Sequence, residues 1–175
     1  GLVINYFISK NQEIQFQTST NTLTLSLPDG SKAILNKNSS LTYTPAFGDA
    51  NRKVTLHGEA FFEVARNPQK PFVISIDNAQ VEVLGTSFNV QGYKERQALE
   101  VTVATGVVRF SIPEVKQEVT LQAGEKGLFT KSARQLSSVA NKDINFLSWN
   151  TRKIVFEETD LRSVVETLNN TYQVN

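Results

Sequence analysis

Apolar and polar side chains alternate with a period of two over most of this chain. Leu23, Leu25 and Leu27 alternate with threonine and serine, and Phe72, Ile74 and Ile76 with Val73 and Ser75. Val81 and Val83 flank Glu82, and Leu99, Val101 and Val103 flank Glu100 and Thr102. Val108, Phe110 and Ile112 enclose Arg109 and Ser111. A period of two is the mark of a strand with one buried face. Val54 and Leu56 predict a further short strand that enters Gly58, and Val119 and Leu121 one that leads into the turn Ala123-Gly124-Glu125. Asp29-Gly30 between two apolar segments predicts a hairpin, because glycine accepts positive φ at little cost. Asn36–Ser40 and Pro45–Asn51 are rich in Asn, Ser, Gly and Pro and predict loops. No helix is predicted before Leu147. Many short strands at close spacing predict a sandwich, a barrel or a solenoid.

The glycines narrow this. Gly58, Gly85, Gly106 and Gly124 stand about 18 to 27 residues apart, the length of one coil of a β-solenoid. Each marks a bend or a close backbone approach. The expected fold class is mainly β: a twisted, solenoid-like or sandwich domain of short antiparallel strands, with the solenoid favoured over a closed barrel.

Around Ile144 the character of the chain changes. Phe146, Leu147 and Trp149 form an apolar cluster, and Ile154 and Phe156 predict one strand. Leu161, Val164, Val165 and Leu168 then fall at i, i+3, i+4 and i+7, one apolar face of a helix. Thr159 or Asp160 can cap its start, and Asn169-Asn170 can end it. The expected organisation is an all-β domain over 1–146, then a linker and the incomplete beginning of a small α/β domain over 147–175. A strand-helix unit of that size cannot bury its own apolar face. Phe156, Leu161, Val165 and Leu168 are therefore the candidate partner-binding residues, and a homodimer through this unit is a further expectation.

Composition excludes more than it selects. With 18 basic and 17 acidic residues, net charge +1 and no block of like charge, nucleic acid is not an expected partner. There is no cysteine, so disulfides and thiolate metal sites are excluded. No apolar run approaches the roughly 18 residues of a membrane-spanning helix.

Candidate chemistry is thin. His57 is the only histidine, and zinc catalysis needs about three protein ligands. A triad would need a nucleophile and an orienting carboxylate beside it. Glu59 and Glu63 share strand parity and could be imagined as a glycosidase pair. The adjacent Phe61 and Phe62 make both faces partly apolar, which favours structural ion pairing, with Arg52 and Arg66 as candidate partners. Gly85-Thr86-Ser87 and Gly124–Gly127 open no helix and so are not phosphate cradles. Asp29, Asp49 and Asp77 sit in turns, where aspartate caps backbone amides. Tyr43, Phe47, Tyr93 and Phe129 could supply sugar-stacking platforms, although core packing is the commoner fate. No catalytic residue, cofactor or metal site is expected.

One resemblance runs through the chain. LPDGSKAILN (Leu27–Asn36), Arg52, HGEAFFEVA (His57–Ala65), KPFVI (Lys70–Ile74), VEVLGTSFNV (Val81–Val90), LQAGEKG (Leu121–Gly127), Trp149 and Ile154–Tyr172 follow one another in the order found in FecR-type regulators. Over roughly Leu23 to the C-terminus, the chain resembles the periplasmic region of these membrane-anchored anti-sigma factors. The resemblance implies a noncatalytic signalling module, periplasmic and part of a single-pass inner-membrane protein. It implies a membrane anchor upstream, and a sigma-factor-binding segment that this sequence does not contain. It implies that the partner is the N-terminal signalling domain of an outer-membrane TonB-dependent receptor, and that an extracytoplasmic-function sigma factor is controlled in turn. In that family the C-terminal unit begins a small βαβ-type domain. The alternative from the residues alone is a secreted β-solenoid carbohydrate-binding module.

Overall fold

A computed structural model of the chain describes residues 13–154 and 160–172. It divides into two compact units, Gly1–Ala140 and Asn141–Asn175. The first holds the strands β1 (Ile14–Gln17), β2 (Leu23–Ser26), β3 (Lys32–Leu35), β4 (Ser40–Tyr43), β5 (Arg52–Glu63), β6 (Phe72–Ile76), β7 (Ala79–Val83), β8 (Ser87–Gly92), β9 (Ala98–Thr105), β10 (Val107–Ile112), β11 (Gln117–Gln122), β12 (Glu125–Thr130) and β13 (Gln135–Ala140). A short 3-10 turn, Pro113–Val115, links β10 to β11. The fold is mainly β, as the period of two requires.

Strand β5 organises the unit. Its first half pairs with β4 and, in parallel, with β6, and the sheet continues through β7 and β10 to β11. Its second half pairs with β3 and β8, and that sheet continues through β9 and β12 to β13. One bent strand thus serves two sheets, and together they form a nearly closed, barrel-like sheet. The expected short strand ending at Gly58 is in fact half of this twelve-residue strand. Gly58 makes the passage possible. It sits at φ 86°, and a Cβ there would lie 2.4 Å from Ser39 Oγ and 2.8 Å from Asn38 O.

The pairing lies nearer the barrel that the strand pattern left open than a solenoid. Every ladder is antiparallel except β5–β6. A solenoid stacks parallel coils, so the irregular glycine spacing does not mark coils here. Gly85 and Gly127 serve inter-segment approach instead. A Cβ on Gly85 would meet Arg66 Cα at 2.7 Å, and one on Gly127 would meet the rings and methyls of Phe110 and Leu121.

The core lies between the two sheets. Val54, Leu56, Ala60 and Phe62 of β5 face it, with Phe72, Ile74, Val81 and Phe110 from one side and Leu35, Phe88, Val101 and Phe129 from the other. Phe62 stacks on Phe88 at 5.5 Å and meets Phe72 edge-on at 5.9 Å. Such pairs add about 0.5–1.5 kcal/mol each beyond area burial. Phe61, of opposite parity, is also buried (6% exposed), beside its register partners Ile34 and Asn89. Both faces of this part of β5 are therefore covered, as the adjacent aromatics suggested.

The second unit contains two helices, α1 (Ser148–Thr151) and α2 (Leu161–Tyr172). Asp160 caps α2: its Oδ1 accepts from the Arg162 and Ser163 amides at 2.9 and 3.1 Å. Asp160 Oδ2 accepts from Ser163 Oγ at 2.8 Å, and these bonds hold its carboxyl below the usual aspartate range. The strand expected at Ile154–Phe156 falls largely outside the described residues.

Candidate functional site

The residues that first suggested chemistry do not assemble into a catalytic site. His57 and Glu63 are exposed, while Glu59 is 4% exposed. Glu59 is held by neutral amides: Asn36 Nδ2 donates to Oε2 at 2.8 Å and Asn89 Nδ2 to Oε1 at 2.8 Å. Burial raises its carboxyl above the ordinary value. The hydrogen bonds of Asn89, Asn36 and Gln91, and the charge of Arg96, pull it only part of the way back. The expected ion pairs with Arg52 or Arg66 are absent among the described residues. The reason is strand parity: Arg52 shares the inward parity of Val54 and Leu56, whereas Glu59 and Glu63 point outward.

Arg52 closes a different cluster. Its guanidinium and stem are 2% exposed. Nη1 donates to Asp29 Oδ2 at 3.1 Å and to Ala65 O at 2.7 Å. Nε donates to Lys70 O at 2.6 Å and Nη2 to Asn67 O at 3.2 Å. The charge also lies 5.7 Å from the Phe72 ring centre. Asp29 accepts in addition from the Ser31 amide and hydroxyl. Ser31 Oγ accepts in turn from the Ala65 amide at 2.9 Å. The DGS turn, Arg52, the end of HGEAFFEVA and Lys70 of KPFVI, scattered in sequence, thus form one buried knot. It satisfies the backbone of the 65–70 connection that lets β6 run parallel to β5. Four of the five guanidinium N–H groups are used internally and the charge is buried, so the knot holds structure.

Beside it lies an open polar trough of about 530 Å³. Ser26, Lys32, Glu63, Ser87 and Thr105 form one register row across β2, β3, β5, β8 and β9 and line its floor. Lys32 and Glu63 stand opposite each other on this floor, and no salt bridge joins them among the described residues. No group of three or more His, Cys, Asp or Glu that could hold a metal ion occurs among the described residues. The four aromatics considered as sugar platforms are all in the interior: Tyr43, Phe47, Tyr93 and Phe129 are 2–8% exposed. Tyr43 packs on Phe16 and Phe47 at 6.2 and 5.1 Å. Stacking on a sugar needs an open ring face, and none of these rings offers one.

Of the candidate docking residues, Val165 and Leu168 are 47% and 37% exposed on α2. Phe156 and the Leu161 side chain lie outside the described residues. Sequence reasoning missed the amide partners of Glu59. Their signal was present, since Asn89 and Gln91 alternate with Phe88 and Val90 and so occupy the outer face next to Glu59.

The family follows from a direct match: the sequence model described as FecR protein covers residues 15–109. The chain belongs to the FecR family. It is also similar to two crystal structures of a candidate anti-sigma factor from Parabacteroides distasonis ATCC 8503. The structure at 2.50 Å matches with TM-score 0.76 and 29% identity, over 92% of this chain and 75% of that one. The structure at 1.65 Å matches with TM-score 0.75 and 29% identity, over 91% of this chain and 74% of that one. No curated protein matches the chain. Membership makes the chain a signalling regulator of the anti-sigma type.

Proposed function

We propose that this chain is the periplasmic module of a FecR-like regulator anchored in the inner membrane. It receives a signal from the N-terminal domain of an outer-membrane TonB-dependent receptor. It passes that signal to an extracytoplasmic-function sigma factor through a segment outside this sequence. The means is protein-protein contact. The all-β domain of residues 1–146 is the rigid support, and the unit of residues 147–175 is the beginning of the docking domain. Phe156, Leu161, Val165 and Leu168 are the candidate contacts. The observation that carries this reading is a contrast. Polar side chains of the family motifs are used up in internal bonds, while α2 presents Val165 and Leu168 to solvent.

The test is a sigma-factor reporter in cells carrying the full-length regulator. Val165→Asp with Leu168→Asp should impair receptor-dependent signalling at unchanged periplasmic protein level. Glu63→Gln, an exposed carboxylate lost from the trough, should signal normally. Normal signalling by the helix variant, with loss of signalling in folded Glu63→Gln, overturns the proposal and points to a chemical site.

A further inference from the structure

Glu59 follows the bend of β5 at Gly58, and its buried carboxyl is held by the Asn36 and Asn89 amides. That cluster has one loose end. Asn89 is 6% exposed, and its Oδ1 is buried with no partner among the described residues. A buried acceptor left unpaired is costly. The same side chain already reaches the carboxyl through Nδ2, which donates to Glu59 Oε1 at 2.8 Å.

A half-turn of the Asn89 amide exchanges its oxygen and nitrogen, which are close in size. It sets Oδ1 beside Glu59 Oε1, where it can accept a proton carried by the carboxyl. Either orientation leaves one amide atom unpaired, so the rotation alone gains little. The proton decides it: an ionised carboxyl needs the donor, and a protonated one needs the acceptor.

Position ties this choice to the bend. Asn36, which donates to Glu59 Oε2, opens the turn 36–39 between β3 and β4. Ser39 of that turn lies against Gly58, and its Oγ accepts from the Glu59 amide at 2.9 Å. A buried carboxylate without a cation in contact is penalised, and lifting the turn brings water to it. We propose that Glu59 and Asn89 form a proton switch that gates the turn 36–39. With the proton on, Glu59 Oε1 donates to Asn89 Oδ1 and the turn stays shut. With the proton lost to solvent, Asn89 turns back to donate, and the turn lifts more often to hydrate the carboxylate.

Burial places the change above the ordinary glutamate range, against the pull of Asn89, Asn36, Gln91 and the Arg96 charge. The other charged or titratable groups around this face are His57 on β5, Lys37 in the turn, Glu100 on β9 and Lys126 on β12. Glu100 and Lys126 are paired with each other at 3.2 Å. Lys32 and Glu63 stand four residues along, at the far end of the face. The switch is independent of the receptor reading.

NMR of the whole chain across roughly pH 4–8 tests it. The Glu59 carboxyl carbon and the Asn89 side-chain amide should shift together, with one midpoint above 4.5. In Glu59→Gln the Asn89 shift should vanish. Hydrogen exchange at the Ser39 amide, which donates to Thr18 Oγ1 at 2.9 Å, reads the turn. Corrected for its intrinsic rate, it should quicken severalfold as pH rises through that midpoint, and stay level in Glu59→Gln. The titrations of the unaltered protein need no variant. An Asn89 amide that stays flat while Glu59 titrates overturns the proposal. So does Ser39 exchange with no step at the Glu59 midpoint. An Asn89 transition that persists in folded Glu59→Gln protein assigns it to His57 or Glu100 and overturns it as well.

Discussion

Replacing Arg52 by methionine tests whether the buried knot holds the first unit together. Methionine retains much of the apolar stem and removes the guanidinium. Asp29, whose side chain is 5% exposed, would keep its bonds from Ser31 but lose its charge partner. The Lys70, Ala65 and Asn67 carbonyls would lose a donor each. Removing one partner of a buried ion pair costs about 3–5 kcal/mol, because the other charge stays in a site that water barely reaches. For a domain of this size each kcal/mol shifts Tm by roughly 2–4 °C, so a fall of about 6–20 °C is expected. Thermal and urea unfolding followed by circular dichroism would measure it. The control is the double variant Arg52→Met/Asp29→Asn. The amide retains an oxygen for the Ser31 bonds and carries no charge, so the double variant should be more stable than Arg52→Met alone. A loss below about 1 kcal/mol for Arg52→Met, or a double variant that loses the sum of the two single effects, would refute the charge-burial argument.

Gly85→Val should destabilise the first unit strongly, since the Cβ alone would press on Arg66 Cα at 2.7 Å; an unchanged melting temperature would remove the close-approach argument. Glu59→Gln should change the pH dependence of stability. The folded carboxyl is raised above 4.5 by burial, so the folded state binds the proton more tightly than the unfolded state. Stability tied to that proton is present below 4.5 and is lost as pH rises through the folded value. The wild type should therefore gain on Glu59→Gln as pH falls from neutrality toward 4.5, and urea titrations that run parallel across that range would contradict it.

What could be read from the sequence depended on whether the signal was local. The period of two located most core strands because the inward positions carry Val, Ile, Leu and Phe. The Asp29-Gly30 turn appears as a hairpin with Gly30 at φ 83°, and Asp160 caps α2 as its position before Leu161 suggested. Strand β1 escaped notice, since Ile14 and Phe16 are only two apolar positions between glutamines. Pairing was not legible. Nothing near Arg52 announces that Asp29 will be its partner, because the two come together only when β3 pairs with the far half of β5. The glycine spacing misled for a related reason. Glycine reports that something comes close, and not what: Ser39 at Gly58, Arg66 at Gly85, Phe110 at Gly127. The bonds of Gln117 to the Leu136 amide and the Arg134 carbonyl were equally silent, because a half-buried glutamine at a strand start has many possible partners.

The position of the motifs also bears on where recognition lies. The FecR match ends at Arg109, within β10. Inside it, the residues that made the pattern visible are engaged internally: Asp29 with Arg52, Glu59 with Asn36 and Asn89, Gly58 against Ser39. A side chain fixed by three or four internal bonds cannot also contact a partner without breaking them, at about 1–3 kcal/mol for each buried group left unpaired. Contacts that must form and release are better carried by groups with nothing to lose. Val165 and Leu168 on α2 are of that kind, and both lie after Arg109.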